Sequence, residues 1–476
     1  MSWLIVLGAL PLCGGVVTGL LRGLARNIAG LGFALATLGV AIFVATIRDT
    51  QAIAYSWIPQ VGAWFALRMD GLTTLLVLVS ALLVVAVAIA KLVPDVGGSQ
   101  TFIPLALALE GLALFTFLSD DALLFFLFFE ATLVPMYFLI AAGGDAKRSS
   151  SALKFLLYSL AGGLVLLGGI VYLMVVGNGL RFADLANLSL TPAVQQVLFV
   201  VFFIAFAVKA PLVPLHPWLP DAVEHGQPVS SVLLVGLLDG IGLYGMVRFC
   251  LGVTPAGASW ASQVVEIVAV VSVVYGALAA VASPSLMRLV AYASISHAGF
   301  MVLGLFAFQA ASMVGAMTYV AAHALSAGAL LLAAEWVVAR RGDVMAQNTF
   351  GGLARSAPVL AGGFLIAGLA TLALPGTANF AAELAVIVGA WAAHPVITVV
   401  ALIGVLAAGV YVLWAYQRIF TGPLDESAEP TRDIGGAARV AIGLLLVAIL
   451  AFGFYPAPAQ QLVTPVASAI QVQPGG

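Results

Sequence analysis

Phe199-Val-Val-Phe-Phe-Ile-Ala-Phe-Ala-Val-Lys209-Ala-Pro211-Leu-Val-Pro214 decides the fold. An unbroken apolar run meets a single lysine, and two prolines follow it. Such a run reads as a helix in a bilayer or in a large core. Pro211 breaks it, because proline has no N–H to donate and its ring clashes with the preceding turn. Composition chooses the bilayer. Of 476 residues, 63% are hydrophobic and 8% charged, with a mean hydropathy of +1.15. A soluble domain carries about 25% charged residues. This chain could not cover a water-facing surface, which excludes a cytoplasmic enzyme, a nucleic-acid binder and a disordered chain. The apolar runs are continuous, not alternating, which excludes an outer-membrane barrel. A net charge of −2 gives no steering toward nucleic acid. Cys13 and Cys250 lie in separate apolar stretches. They read as small hydrophobes, with no metal motif and no disulfide framework.

A spanning helix needs about 20 mostly apolar residues. Candidates lie near 3–21, 28–47, 71–90, 102–118, 122–142, 152–176, 195–213, 229–249, 262–282, 286–308, 311–338, 357–391, 396–417 and 437–456. The expectation is an all-α integral membrane protein of about fourteen transmembrane helices. The first run, Trp3 to Leu21, has no basic residue before it and reads as a span, not a cleavable signal. Thirteen of the 18 Lys/Arg fall in one alternate set of connections. Arg48, Arg68, Arg181 and Arg248 fall in the other set, and Lys209 lies within a span. By the positive-inside rule both termini face away from the cytoplasm. No connection is long enough for a nucleotide or flavin domain.

The stretch 357–391 is also interrupted, at Leu374-Pro375-Gly376. Two broken helices prompt a search for internal symmetry. Phe155-Leu-Leu-Tyr158-Ser-Leu-Ala-Gly-Gly163 resembles Val320-Ala-Ala-His323-Ala-Leu-Ser-Ala-Gly328, 165 residues on. Lys209-Ala-Pro211 resembles Ala373-Leu-Pro375, 164 residues on. Both relate a helix to the fifth one after it, so the second unit enters the membrane inverted. The expected organisation is helices 1–3 over 1–101, a first inverted five-helix repeat over 102–250, a second over 251–417, and helix 14 with a tail over 418–476. Each repeat contains one broken helix.

An ionisable side chain at the bilayer centre costs about 2.5–3.5 kcal/mol on insertion scales and asks for a reason. The clear cases are Glu130, Lys209, Asp239 and Glu383; Glu110, Glu266 and Glu335 are shallower or deeper by an unknown amount. His297 and His323 add groups able to carry protons near neutrality. Lys209 precedes a break that admits water, which makes reversible protonation feasible. It could also snorkel from a helix end. Glu130 has no basic residue within a helical turn, and Lys209 is its natural partner, in a functional or a purely structural pair. The histidines could be simply hydrogen-bonded or could relay protons. Together Glu130, Lys209, His297, His323 and Glu383 form a candidate hydrophilic line. The chemistry implied is proton movement, with no redox centre in the chain. Each proton moved against 100 mV needs about 2.3 kcal/mol, so a partner or another ion gradient must supply the energy.

At these residues the chain resembles the antiporter-like membrane subunits of respiratory complex I, and among them the subunit M (chain 4) group. The segments that carry the resemblance are Phe125-Phe-Leu-Phe-Phe-Glu130, Leu133-Val-Pro-Met-Tyr-Phe138, Lys154-Phe-Leu-Leu-Tyr158 and Lys209-Ala-Pro-Leu-Val-Pro-Leu-His216-Pro-Trp-Leu-Pro-Asp-Ala222. Arg288-Leu-Val-Ala-Tyr-Ala-Ser-Ile-Ser-His297-Ala-Gly-Phe300, Gly352-Leu353 and Leu374-Pro-Gly-Thr377 continue it. The match runs from about Arg68 to Pro423. Met136-Tyr137-Phe138, and a glutamate at 383 where a lysine is the alternative, point to the subunit M group. The resemblance implies a proton-translocating subunit of NADH:quinone oxidoreductase in a bacterial inner membrane. Glu130 would be the modulating acid, Lys209 its pair, His297 and His323 relay groups, and Glu383 the terminal group. It implies that NADH, FMN, iron–sulfur clusters and quinone sit in partner subunits, and that this chain binds no cofactor. It implies neighbouring antiporter-like subunits and a separate subunit carrying a lateral helix. The resemblance departs at one central point. Gly240 stands where the family has a lysine, with Asp239 before it as an uncertain substitute, and Met287 replaces a second lysine. Other readings are a subunit of a multisubunit sodium/proton antiporter, a membrane subunit of an energy-converting hydrogenase, or a degenerate scaffold.

Overall fold

The computed structural model describes residues 2–47, 52–93, 99–142, 146–227, 229–341, 351–423 and 432–471. Arg48 lies outside the described residues. The chain opens with α1 (Trp3–Leu20) and α2 (Gly23–Thr46). A hairpin of β1 (Ala52–Ile58) and β2 (Ala63–Arg68) follows, then α3 (Gly71–Ala90), α4 (Phe102–Leu118), α5 (Ala122–Ala131) and α6 (Leu133–Ala141). Next come α7 (Ala146–Val176), the short α8 (Phe182–Ala186), α9 (Pro192–Lys209) and α10 (Trp218–His225). A continuous helix over Ser230–Leu251 holds α11 (Ser230–Leu233) and α12 (Asp239–Gly245), with wider π turns after each. The second half has α13 (Pro255–Val281), α14 (Leu286–Phe306), α15 (Ala310–Arg341), α16 (Pro358–Thr371), α17 (Ala378–Ala393), α18 (Pro395–Phe420), α19 (Gly436–Phe454) and α20 (Ala457–Gln471).

Twelve of the described helices are long and apolar enough to cross a membrane, and α4, α16 and α17 are shorter apolar helices. Local chemistry sets many of the ends. Asp70 caps α3 by accepting from the Thr73 N–H at 3.0 Å. Asp121 caps α5 by accepting from the Leu123 and Leu124 N–H groups at 2.9 and 3.0 Å. Its other oxygen accepts from the Trp64 N–H at 2.9 Å, which ties the hairpin to the bundle. Prolines 192, 255, 358 and 395 stand in first turns, where their missing N–H has no intrahelical acceptor to lose. The segments 230–251, 286–306 and 310–340 are almost wholly buried and form the centre of the bundle. Helices α1, α2, α7, α13, α17, α18 and α19 carry exposed apolar side chains, such as Leu24, Leu164, Val264, Leu406 and Val447. An apolar exterior around a packed core is what a lipid solvent permits.

Two elements depart from the all-α expectation with a bare tail. Residues 52–68 pair as an antiparallel hairpin, and 457–471 form the helix α20. Both hold too few consecutive apolar residues to register as spans, so a search for spans passes over them. The two interruptions lie where the prolines stand: α9 ends at Lys209, and α16 and α17 are separated by Leu372–Thr377.

Candidate functional site

The first break shows how the chain holds a lysine inside an apolar bundle. Pro211 removes a donor, and the Leu212 N–H reaches back five residues to the Ala207 carbonyl at 3.0 Å. The Val208 carbonyl is thereby left over, and the Trp218 indole N–H donates to it at 2.9 Å. The His216-Pro-Trp-Leu-Pro run therefore closes the broken end of α9. Gly242 lets α12 lie directly on this break, since a Cβ there would stand 2.7 Å from the Ala210 nitrogen. Lys209 is 1% exposed. Its Nζ lies 5.2 Å and 5.4 Å from the ring centres of Phe129 and Phe155, close enough for cation–π attraction.

Glu130 and Asp239 are the two carboxylates whose charges act on Lys209. Among the described residues, Lys209 Nζ, Glu130 Oε1 and Asp239 Oδ1 have no hydrogen-bond partner. The expected Glu130–Lys209 pair is thus a pair of electrostatic neighbours, not a hydrogen-bonded bridge. Glu130 leans against Gly163 of α7, where any Cβ would collide with its carboxylate. Gly163 lies in the segment whose resemblance to Val320–Gly328 pointed to a repeat.

The second group is hydrogen-bonded. His297 Nδ1 lies 2.7 Å from the Tyr319 hydroxyl. That hydroxyl donates to Glu383 Oε2 at 2.6 Å. The rings of His297 and His323 are 5.1 Å apart between centres. All four side chains are buried. The structure brings His297, His323 and Glu383 together and adds Tyr319, which sequence reasoning missed. Its signal was present: Tyr319 stands four residues before His323, on the same helical face. A buried tyrosine hydroxyl usually needs a partner.

The two groups meet across α12 and α15. A Cβ on Gly240 would have only Val320 Cγ1 within 4 Å, at 3.2 Å. A Cβ on Gly236 would face the Ala324 carbonyl at 3.3 Å. His323 lies between those two contacts in sequence, so Gly240 faces α15 one turn from His323. Gly240 is the gap between the Lys209 group and the histidine group.

The three carboxylates of unknown depth are all buried. Glu335 accepts from the Val229 N–H at 3.2 Å and the Ser231 hydroxyl at 3.1 Å. Glu266 faces His394 Nδ1 at 2.7 Å. Glu110 has no hydrogen-bond partner among the described residues.

Two ionic clusters mark the ends of the bundle. At one, Arg68, Arg181 and Arg248 converge on Asp70 and Asp120. Burial pushes the Asp70 carboxyl up, but Arg248, the Thr73 N–H and Arg68 outweigh it and hold it below its ordinary value. At the other, Asp221 bridges Lys154 at 2.7 Å and Arg288 at 2.5 Å, and Glu224 also binds Arg288. Burial again raises the Asp221 carboxyl, and Lys154 and Arg288 reverse the shift to below the ordinary value.

Residues 119–409 match the family model described as NADH:quinone oxidoreductase/Mrp antiporter, transmembrane. NADH-quinone oxidoreductase subunit M of Mycobacterium tuberculosis is 35% identical over 515 residues, covering 98% of this chain and 93% of that protein. The subunit of the same name from Escherichia coli is 35% identical over 416 residues, covering 84% and 81%. A chain of respiratory complex I from Thermus thermophilus superposes with a TM-score of 0.92 at 29% identity, covering 99% of this chain and 100% of that one. A chain of the Mrp complex from Dietzia sp. shares the fold, with a TM-score of 0.88 at 22% identity and coverage of 100% and 98%.

Proposed function

Because the chain belongs to the NADH:quinone oxidoreductase/Mrp antiporter family, we propose that it is a proton-translocating membrane-arm subunit of an NADH:quinone oxidoreductase. The observation that carries this reading is the series Lys209, Asp239, His323, His297 and Glu383 buried in the core, with Glu130 half-buried beside it. Apolar helices have no structural need for so many titratable groups. Glu130 modulates the charge of Lys209, the histidines relay, and Glu383 is the terminal group. Asp239 extends the Lys209 cluster toward the gap at Gly240. Electron transfer from NADH to quinone drives the movement. NADH, FMN, iron–sulfur clusters and quinone belong to partner subunits, and this chain contributes no redox group.

The finer organisation belongs to the same proposal. The twelve long helices, α4, and the broken α16–α17 segment make fourteen crossings. Residues 1–101 lead into inverted repeats over 102–250 and 251–417, and 418–476 close the chain. Both termini face away from the cytoplasm in a bacterial inner membrane. The partners are neighbouring antiporter-like subunits and the subunit with the lateral helix.

Mass spectrometry of native complexes purified in mild detergent tests the assembly. Iron–sulfur and flavin subunits with NADH oxidation are expected. Lys209→Ala tests the chemistry: the complex assembles, and NADH-driven proton uptake falls by about tenfold or more, as expected for a lost acid–base group. Unchanged uptake in an assembled complex would leave the scaffold reading. The fold shared with the Mrp complex favours one alternative, a subunit of a sodium/proton antiporter. Sodium-driven proton exchange without redox partners would select it.

A further inference from the structure

Resting on that reading, we infer that Tyr319 is the proton-passing link between His297 and Glu383. Its hydroxyl has one proton, and that proton is donated to Glu383 Oε2. Toward His297 Nδ1, 2.7 Å away, the same oxygen can therefore only accept. The neutral His297 ring then carries its proton on Nδ1 and its lone pair on Nε2. Nε2 has no hydrogen-bond partner among the described residues, and the His323 ring is its neighbour. One nitrogen is thus open to receive a proton while the other is already aimed at the tyrosine.

The transfer balances without changing the tyrosine's charge. A proton bonds to Nε2 and makes an imidazolium. The Nδ1–H bond breaks as an O–H bond forms on Tyr319. The original O–H bond of Tyr319 breaks as one forms on Glu383 Oε2. His297 returns to neutral, and the Glu383 carboxylate becomes a carboxylic acid. The cycle closes when Glu383 loses its proton on the side away from His297. The hydroxyl then turns back, and the imidazole ring flips to exchange its nitrogens. Neither a tyrosinate nor a radical forms.

A purely structural role would make the Tyr319–Glu383 bond a lock between α15 and α17. A second bond already serves that purpose: the Ser326 hydroxyl donates to Asn379 Oδ1 at 3.1 Å, joining the same two helices. Ser326 lies seven residues after Tyr319, and Asn379 four before Glu383, so both bonds lie along one antiparallel seam. Ser326→Ala removes that lock and leaves every side chain of the relay in place.

The test uses inverted membrane vesicles holding the whole assembly, with NADH-driven proton uptake measured for Tyr319→Phe, Ser326→Ala and Glu383→Gln. Tyr319→Phe and Glu383→Gln are expected to lose about tenfold in uptake, and Ser326→Ala to match the native protein. Full uptake in Tyr319→Phe, with loss in Glu383→Gln, overturns the link and leaves the proposed function standing. Full uptake in both Glu383→Gln and Lys209→Ala overturns the function as well. If Tyr319→Phe fails to assemble, 3,5-difluorotyrosine at position 319 keeps both hydrogen bonds and makes the hydroxyl a stronger donor. The infrared carboxyl band of Glu383, assigned by its loss in Glu383→Gln, is then expected to shift during turnover. A band unmoved by fluorination overturns the link.

Discussion

At position 240 a glycine faces α15 with no side chain of its own. A Cβ there would meet Val320 Cγ1 at 3.2 Å, and glycine offers no titratable group of its own. Asp239 is next in sequence, but adjacent residues point about 100° apart on a helix. It acts on Lys209, on the near side of the gap. Among the described residues a Cβ at 240 would meet one atom, a Val320 methyl at 3.2 Å, which must give by a few tenths of an ångström. Gly240→Lys is expected to assemble and to raise the number of protons moved per electron. An unchanged ratio, measured by proton uptake against NADH consumed, would show that the native core already bridges the gap. Position 240 could be compared with the family in the sequence, whereas Tyr319 offered only its four-residue spacing to His323. A tyrosine in an apolar helix is common, and only contact with His297 and Glu383 gives its hydroxyl two partners.

Lys209 and Glu383 stand on helices that flank breaks, and the first break persists because its free backbone groups find new partners. Trp218 satisfies the Val208 carbonyl one residue from Lys209. Trp218→Phe keeps the ring and removes that donor. Leaving a buried carbonyl unpaired costs about 1–3 kcal/mol. A lower dissociation temperature of the purified complex is expected, with weaker proton uptake because the lysine shares this end of α9. A variant with native thermal stability would show that the indole bond does not support the break. The prolines made both breaks legible in the sequence. The tryptophan's role was not, because it depends on α10 folding back over the end of α9.

Among the described residues, much of the charge gathers in two ionic clusters and one series through the core. The cluster of Asp221, Lys154 and Arg288 joins α7, α10 and α14. Its pH dependence follows from the depressed Asp221 carboxyl. A group with a lowered folded pKa stabilises fully above its unfolded value, near 3.8 here, and loses that contribution as pH falls through the folded value. Asp221→Asn is expected to lower the thermal midpoint of the complex at pH 7. The difference from the native protein should narrow below about pH 4. A difference independent of pH would assign the effect to packing. The arginines counted as a minority set, Arg68, Arg181 and Arg248, converge on Asp70 and Asp120. Each thus has a carboxylate partner.

The bilayer as solvent, the helical class, the breaks at Pro211 and Pro375, and the isolated polar groups Glu130, Lys209, His297, His323 and Glu383 can all be read from the chain alone. They are legible because hydrophobic run length and isolated charges are local properties, and lipid penalises exceptions strongly. The hairpin over 52–68, the helix α20, the separation of Glu130 from Lys209, and the His297–Tyr319–Glu383 connection required the folded molecule. Each depends on which helices lie side by side. A hydrogen bond between residues 64 positions apart, as between Tyr319 and Glu383, is set by packing and not by spacing.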